Sequence, residues 1–366
     1  GSLSGNSMVQ TGNNFSNITL AGSIMNGWNV TEGTAGSGPT KTISNNIFSN
    51  WSISAGASPM TAIQVNNSGS NTVISGNIIS DLSCLGSLRG IVLGTTGTSS
   101  VTTVDNNIIE NFSTNNAAVL GIAAGSTTTT VMNISNNTIS GLSTIGGLSA
   151  TGVSLASGVT TNVFKNKLYN ISATNVSASS VSGLNIGSGI SGIFNITNNY
   201  IGDLHAPISN SSSIIYGIII STVSTSSTLN LFYNTIFLNA ASSGTDFGTT
   251  GIYVTANGTA ANGPVSLRNN IIVNTSVPKG SGLTVAYRRS GIQLNNYTTS
   301  SNNNIFYAGT ASASNLIFFD GTNSDQTIAT FKTRVGPTRE SNSVTELPPF
   351  LGTTGSSPNY LHIDPS

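Results

Sequence analysis

A six-residue pattern recurs down most of the chain: an apolar residue, a spacer, two amides, then two residues that are mostly apolar. It reads Ile43-Ser44-Asn45-Asn46-Ile47-Phe48, then Ile74-Ser75-Gly76-Asn77-Ile78-Ile79 and Val104-Asp105-Asn106-Asn107-Ile108-Ile109. Ile134 to Ile139, Phe164-Lys165-Asn166-Lys167-Leu168-Tyr169 and Ile196 to Ile201 continue it. Looser copies follow at Leu231 to Ile236, Leu267 to Ile272 and Asn302 to Phe306, and a degenerate first copy centres on Asn13. With the second amide as marker, the steps are 33, 31, 30, 30, 30, 32, 35, 36 and 34 residues. A period of this length marks stacked units, none of which can bury its apolar face alone.

A second pattern, Gly-φ-x-φ with φ apolar, runs in phase with the first. It occurs at Gly90, Gly121, Gly152, Gly183, Gly217, Gly251 and Gly291, with weaker copies at Gly27 and Ala62. Each copy reads as a short alternating strand bounded by turn residues. One coil thus holds three short strands: the Gly strand, a strand leading into the paired amides, and a strand leaving them. A Gly/Ser/Thr turn joins the first two. Nothing within a coil has helical periodicity.

The amides have a structural reason to repeat. Asn tolerates the left-handed backbone of a sharp bend, and Gly12 and Gly76 replace it at the first amide position. Identical amides stacked in register also bond along the pile. The expected ladder is Asn46, Asn77, Asn107, Asn137, Asn199, Asn234, Asn270 and Asn304, broken at the second amide position by Lys167. Ile43, Ile74, Val104, Ile134, Phe164, Ile196, Leu231 and Leu267 should form one interior column.

These two ladders resemble the parallel β-helix repeat family and, more broadly, the right-handed pectate-lyase-like β-helices. The resemblance covers residues 10–310. It implies an all-β, three-sided, right-handed parallel β-helix of about ten coils; right-handed crossovers between parallel strands favour the same hand. The coils should fill residues 1–315, with a capping segment at 316–366. In that segment Ser324-Asp325 can cap a short helix carrying Ile328, Phe331 and Val335, stopped by Gly336-Pro337. Pro348-Pro349-Phe350-Leu351 and Tyr360-Leu361-His362-Ile363 follow. The whole tail is similar to the closing segment of many secreted bacterial β-helix proteins and should cover the apolar end of the last coil. The first residues already read as part of a coil, as if the chain were the C-terminal portion of a longer rod.

Composition limits the function. Charged residues make up 6% of the chain and the formal net charge is zero, which removes the attraction that nucleic-acid or anionic-membrane binding needs. No apolar run is long enough to insert into a membrane. With one cysteine and two histidines, no metal site or cofactor is expected. Enzymes of the resembled fold act through clustered charges, yet Asn29, Gln64, Val92, Ala123, Ser154, Asn185, Ile219, Tyr253 and Gln293, the outward residues of the Gly strands, carry none. Asp105, Lys165 and Arg268 share the column before the amides, two or more coils apart. Asp81 and Asp203 occupy the position of Asn17, Asn50 and Asn111, where a side-chain oxygen would cap a turn. The pair Asp203 and His205 reads as exposed loop.

The most suggestive irregularity is the insertion between Thr275 and Gly291, with Lys279, Tyr287, Arg288 and Arg289. The preceding insertion carries Asp246, which could approach either arginine. The arginines could hold a carboxylate or sulfate, and Tyr253, Tyr287 and Tyr297 could stack against sugar rings. The sequence therefore favours a non-enzymatic rod at a bacterial cell surface or outside the cell, an adhesin, stalk or filament component. Its partners would be surface glycans, copies of itself or other surface proteins. The alternative is a polysaccharide lyase, glycoside hydrolase or glycan-binding module using the loop side around residues 240–297, with Lys41 far from it.

Overall fold

The computed structural model describes residues 7–31, 39–66, 71–94, 101–125, 131–156, 160–187, 191–221, 223–255 and 263–365. Through them the chain winds as an all-β parallel solenoid of three sheets, with one short helix near its C-terminus. The first nine coils each contribute to all three sheets, as with Val101–Asp105, Ile108–Thr114 and Val119–Ala124, and the last contributes strands to the second and third. The Gly/Ser/Thr turns expected between the third strand and the next coil fall largely outside the described residues. Coils are numbered here by their ladder asparagine, Asn13 marking coil one.

The paired amides divide two tasks between them. The first takes the left-handed bend: φ is 55° at Asn45, 54° at Asn106, 53° at Asn136 and 64° at Gly76. The second turns inward and is fully buried. In the ladder, Asn107 donates its backbone N–H and its Nδ2 to Asn137 Oδ1, at 3.0 and 2.9 Å, while Nδ2 also reaches the Ile74 carbonyl at 3.0 Å. The same three bonds repeat at Asn46, Asn77, Asn137, Asn199, Asn234 and Asn270.

Coil six corrects the sequence reading. The ladder there is unbroken, because Asn166 and not Lys167 stands in it. Asn137 Nδ2 donates to Asn166 Oδ1 at 2.9 Å, and Asn166 Nδ2 to Asn199 Oδ1 at 3.0 Å. The preceding strand pairs Val163 with Ile134 and Phe164 with Ser135. Val163 therefore fills the interior column with Ile43, Ile74, Val104, Ile134, Ile196, Leu231 and Leu267, and Phe164 faces outward. Lys165 takes the left-handed bend at φ 57°. A one-residue slip would have put an ammonium into a buried amide row, a cost larger than the 1–2 kcal/mol of holding lysine left-handed.

A second left-handed column bends the strands of the second sheet at Asn17, Asn50, Asp81, Asn111, Gly141, Asn170 and Asp203. Backbone conformation, rather than the turn capping expected for Asp81 and Asp203, is what this position demands. In the third sheet each Gly sits where strands approach closely. A Cβ at Gly121 would lie 2.6 Å from the Gly152 carbonyl oxygen and 2.6 Å from Ile139.

The C-terminal segment has two jobs. Its helix, Ile328–Val335, is capped by Thr327, whose side chain accepts from the Thr330 N–H, and not by Ser324-Asp325. Those two residues instead pair antiparallel with Phe318 and Phe319. Phe331 packs on Phe318 at 4.8 Å and Phe306 at 5.5 Å, closing the last coil. Val344 adds a further bridge to Ile305 on that end, but the tail from Pro348 on does not cover it. It runs back along the flank of the second sheet, where Phe350 meets Phe237, His362 meets Tyr200 and Tyr360 meets Tyr169. Lys167 Nζ donates to the Ser357 carbonyl at 3.1 Å. The outward row beneath explains this course. It reads Ser16, Ser49, Ser80, Glu110 and Ser140 in coils one to five, then Tyr169, Gly202, Phe237, Val273 and Tyr307 where the tail lies.

The outer face of the first sheet carries a further amide row that the sequence reading missed. Asn162 Nδ2 donates to Asn133 Oδ1, Asn195 to Asn162 and Asn230 to Asn195, each at 2.8 Å. These amides touch water and serve no backbone group. Asn137→Ala should therefore cost about 3 kcal/mol, since it orphans two buried donors of Asn107, and Asn162→Ala under about 1 kcal/mol. Denaturant midpoints for the two variants test this; equal shifts would mean that the inner ladder does not hold the stack.

Candidate functional site

The third sheet presents a row of outward side chains in strict register: Asn185, Ile219, Tyr253, Arg288 and Phe319. The strand that carries Arg288 is Thr284–Arg289. The Gly291 copy of the sequence pattern lies outside the sheet, so Gln293 is not the outward residue of coil nine. Ala286 takes the place of the glycine, as Ala62 does in coil two. The outward row of this sheet is therefore charged at one point, Arg288.

Around that point the side chains form one patch. Tyr216 and Tyr253 meet edge to face with centroids 5.7 Å apart. The Arg288 guanidinium lies 6.0 Å from the Tyr253 centroid and 5.1 Å from that of Phe319. Its NH1 donates to Ser213 Oγ at 3.1 Å, and Ser213 Oγ shares a 2.9 Å bond with the Tyr216 hydroxyl. Burial raises the Tyr216 hydroxyl above its ordinary range, so it stays a neutral donor at physiological pH. All four rings and charges keep partial exposure. Flat aromatic faces beside a cation that no carboxylate neutralises within 4 Å, among the described residues, can stack against a ring and hold an anionic substituent.

The other residues proposed for this site lie elsewhere. Tyr287, Tyr297 and Arg289 are fully buried in the core of the last coils, not on a stacking surface. Arg289 donates to the Tyr287 hydroxyl at 3.0 Å, to the Gln293 carbonyl at 2.7 Å and to Asn296 Oδ1. Asp246 does not meet either arginine. Its Oδ1 accepts from the Ser281 N–H at 2.7 Å and hydroxyl at 2.8 Å, which hold its carboxyl below the usual range. Lys279 bridges Phe247 through its backbone. Lys41 stands near the opposite end as expected, but in an interior row and 1% exposed. The sequence reading missed Tyr216 and Phe319. The Ala62 copy was the available signal: accepting alanine at 286 as at 62 would have put Arg288 beside Tyr253 and drawn in the neighbours on either side.

Among the described residues no group of three or more His, Cys, Asp and Glu is placed to hold a metal. His205 and Asp203 pair at 2.8 Å on the surface, and Asp325 holds Arg334 through two bonds. Asp320, Asp325 and Glu340 are buried carboxylates, and Glu340 closes the inner ladder. Asn304 Nδ2 donates to both its oxygens, at 2.9 and 3.2 Å, and the hydroxyls of Tyr297 and Ser343 donate to it as well. Burial raises its carboxyl above the usual range against these donors.

Two outcomes follow. Arg289→Ala should destabilise the C-terminal coils by about 3 kcal/mol by emptying a packed polar site, whereas Arg288→Ala should cost under about 1 kcal/mol. A folded state that binds more protons than the unfolded one loses stability as pH rises. Glu340 is such a group, so its contribution falls from the ordinary carboxyl range upward through its raised pKa. The Tm difference between wild type and Glu340→Gln should move in the variant's favour as pH rises from about 4 to 8; a flat difference would mean that Glu340 titrates normally. In comparisons with protein-family models, curated proteins and solved structures, none matches this chain, so its reading rests on the solenoid and its surfaces.

Proposed function

We propose that the protein is a non-enzymatic structural or adhesive rod, an adhesin, stalk or filament component displayed outside the cell or on a bacterial surface. The Tyr216, Tyr253, Arg288 and Phe319 patch is its contact point for glycans bearing carboxylate or sulfate groups. The observation that supports this most is the row Ile219, Tyr253, Arg288 and Phe319. Stacking fixes its spacing at about 4.8 Å per coil, so the rings are held in place without loops to order them. Preorganised aromatic and cationic groups suit binding, while cleavage of a glycosidic bond asks for positioned acid and base groups or a metal.

The test is direct binding of uronate-containing, sulfated and neutral oligosaccharides, with product release measured in parallel. Acidic oligosaccharides should bind in the micromolar to millimolar range without turnover. Tyr253→Ala and Arg288→Ala should each weaken binding by about tenfold, the loss expected for one stacking or charged contact. Asn162→Ala, on another sheet, should leave it unchanged. Release of reducing ends or unsaturated products above background would overturn the non-enzymatic reading. Binding indifferent to both patch variants would remove the patch from it.

A further inference from the structure

The outer face of the first sheet carries a charge and amide pattern with its own centre of symmetry. The amide row Asn133, Asn162, Asn195 and Asn230 spans coils five to eight. The neighbouring outward row reads Asp105, Ser135, Phe164, Thr197, Phe232 and Arg268 over coils four to nine. Both rows are centred between coils six and seven. Asp105 and Arg268 are the charged residues that these strands turn outward, and they stand at equal distances from that centre. Neither has an oppositely charged side chain within 4 Å among the described residues. Asp105 accepts from Ser135 Oγ at 2.6 Å and Asn136 Nδ2 at 2.7 Å, and Arg268 lies 5.9 Å from the Phe232 ring centroid.

We infer that this face pairs with the same face of a second copy, the two rods running antiparallel about a two-fold axis that lies along the strands between coils six and seven. That operation sets Asp105 against Arg268 of the second copy, and Arg268 against its Asp105. It sets Asn162 against Asn195 of the second copy, Asn133 against its Asn230, and Phe164 against its Thr197. Lys165, at the bend of coil six, falls opposite Asn198 and meets no like charge. The occupant is argued from this complementarity and from spacing. A ligand must match the rung repeat of about 4.8 Å to use successive amides, and a second copy matches it by construction. The amide row runs with its donors toward coil five, so antiparallel rods oppose the dipoles of the two rows. Zero net charge leaves no long-range repulsion to overcome.

Six rungs of five-residue strands cover about 450 Å² on each copy. The total of about 900 Å² lies below standard interfaces and within the range of weak ones, so the dimer should form with a dissociation constant in the micromolar to millimolar range. The inference is independent of the glycan patch, which lies on the third sheet.

Sedimentation equilibrium of the full chain at low salt tests it. Wild type should show monomer–dimer exchange that weakens as salt rises. D105R alone and R268E alone should each raise the dissociation constant about tenfold or more, since each sets like charges together at both ends. The double variant D105R/R268E should regain wild-type association. An equimolar mixture of the two single variants should associate more tightly than either alone, because each supplies the charge the other needs. Circular dichroism confirms folding, which the exposed Arg268 and the half-buried, outward Asp105 permit. A monomer at every concentration, association indifferent to single reversal, or a mixture no tighter than its parts would overturn the pairing. Capture of another macromolecule by this face in place of a second copy would overturn it as well.

Discussion

Everything in this molecule hangs on one buried donor. Where each coil turns from its first sheet to its second, the backbone bends left-handed and leaves an N–H pointing along the axis into the core. Unpaired, that group would cost about 1–3 kcal/mol at every coil. The asparagine of the next coil accepts it, and because the acceptor is a carboxamide it returns two donors of its own. One goes to a backbone carbonyl and one onward along the ladder. The bend, the strand register and the stacking of coils are therefore one constraint. The bond also fixes the direction of the amides, since reversing Asn137 would set its NH2 against the Asn107 N–H. Every ladder Nδ2 points toward the C-terminus, so the last coil must end on an acceptor. Glu340 and Ser343 supply it. A carboxylate is the group that can take donors from Asn304, Tyr297 and Ser343 together, which gives the segment after the helix a purpose beyond covering apolar surface.

Much of this was legible because repetition averages out local noise. The paired amides and the Gly strands announced a stack of three-strand coils, and the interior column was right at seven of its eight positions. The failures share a cause: each lies where the repeat is irregular and more than one register is open. In coil six, Phe164 and Val163 are both apolar and Asn166 has no amide beside it. Only the pairing of the whole strand with its neighbour decides which faces inward. In coil nine, alanine at 286 stands where glycine was sought, and Gly291 offered a false match five residues later. Arg288 and Arg289 look equivalent in a sequence, yet the alternation of a strand sends one to the surface and the other into the core. Lys41 obeys the same alternation from the other side. The tail's course was open to reading in principle. The row Tyr169, Phe237 and Tyr307 is far too apolar for a solvent-facing surface, but its register could be traced only once coil six was corrected.

Stacking also determines what kind of surface the protein can offer. A loop can be reshaped to surround a ligand, whereas an outward residue on a solenoid has neighbours fixed at about one rung above and below. Function is then written in rows. The third sheet writes Ile219, Tyr253, Arg288 and Phe319, a short apolar and cationic line at one end. The second sheet writes an aromatic line and covers it with its own tail. The first writes amides bounded by one acid and one base. Three faces with three separate chemistries are thus held at constant spacing by one ladder.

The two amide rows differ in a way that bears on that use. The inner one is bound to backbone groups at every rung, has one orientation and touches no water. The outer one bonds only along itself, through three bonds among four side chains, and reversing all its amides together would preserve every bond between them. Each outer amide retains a donor and an acceptor site for whatever lies against it. Folding therefore does not account for the outer asparagines as it does for the inner ones. A row that adds little to stability, keeps hydrogen-bonding capacity free and is bracketed by opposite charges at equal distances is arranged for contact, and the fold supplies the regular spacing such a contact needs.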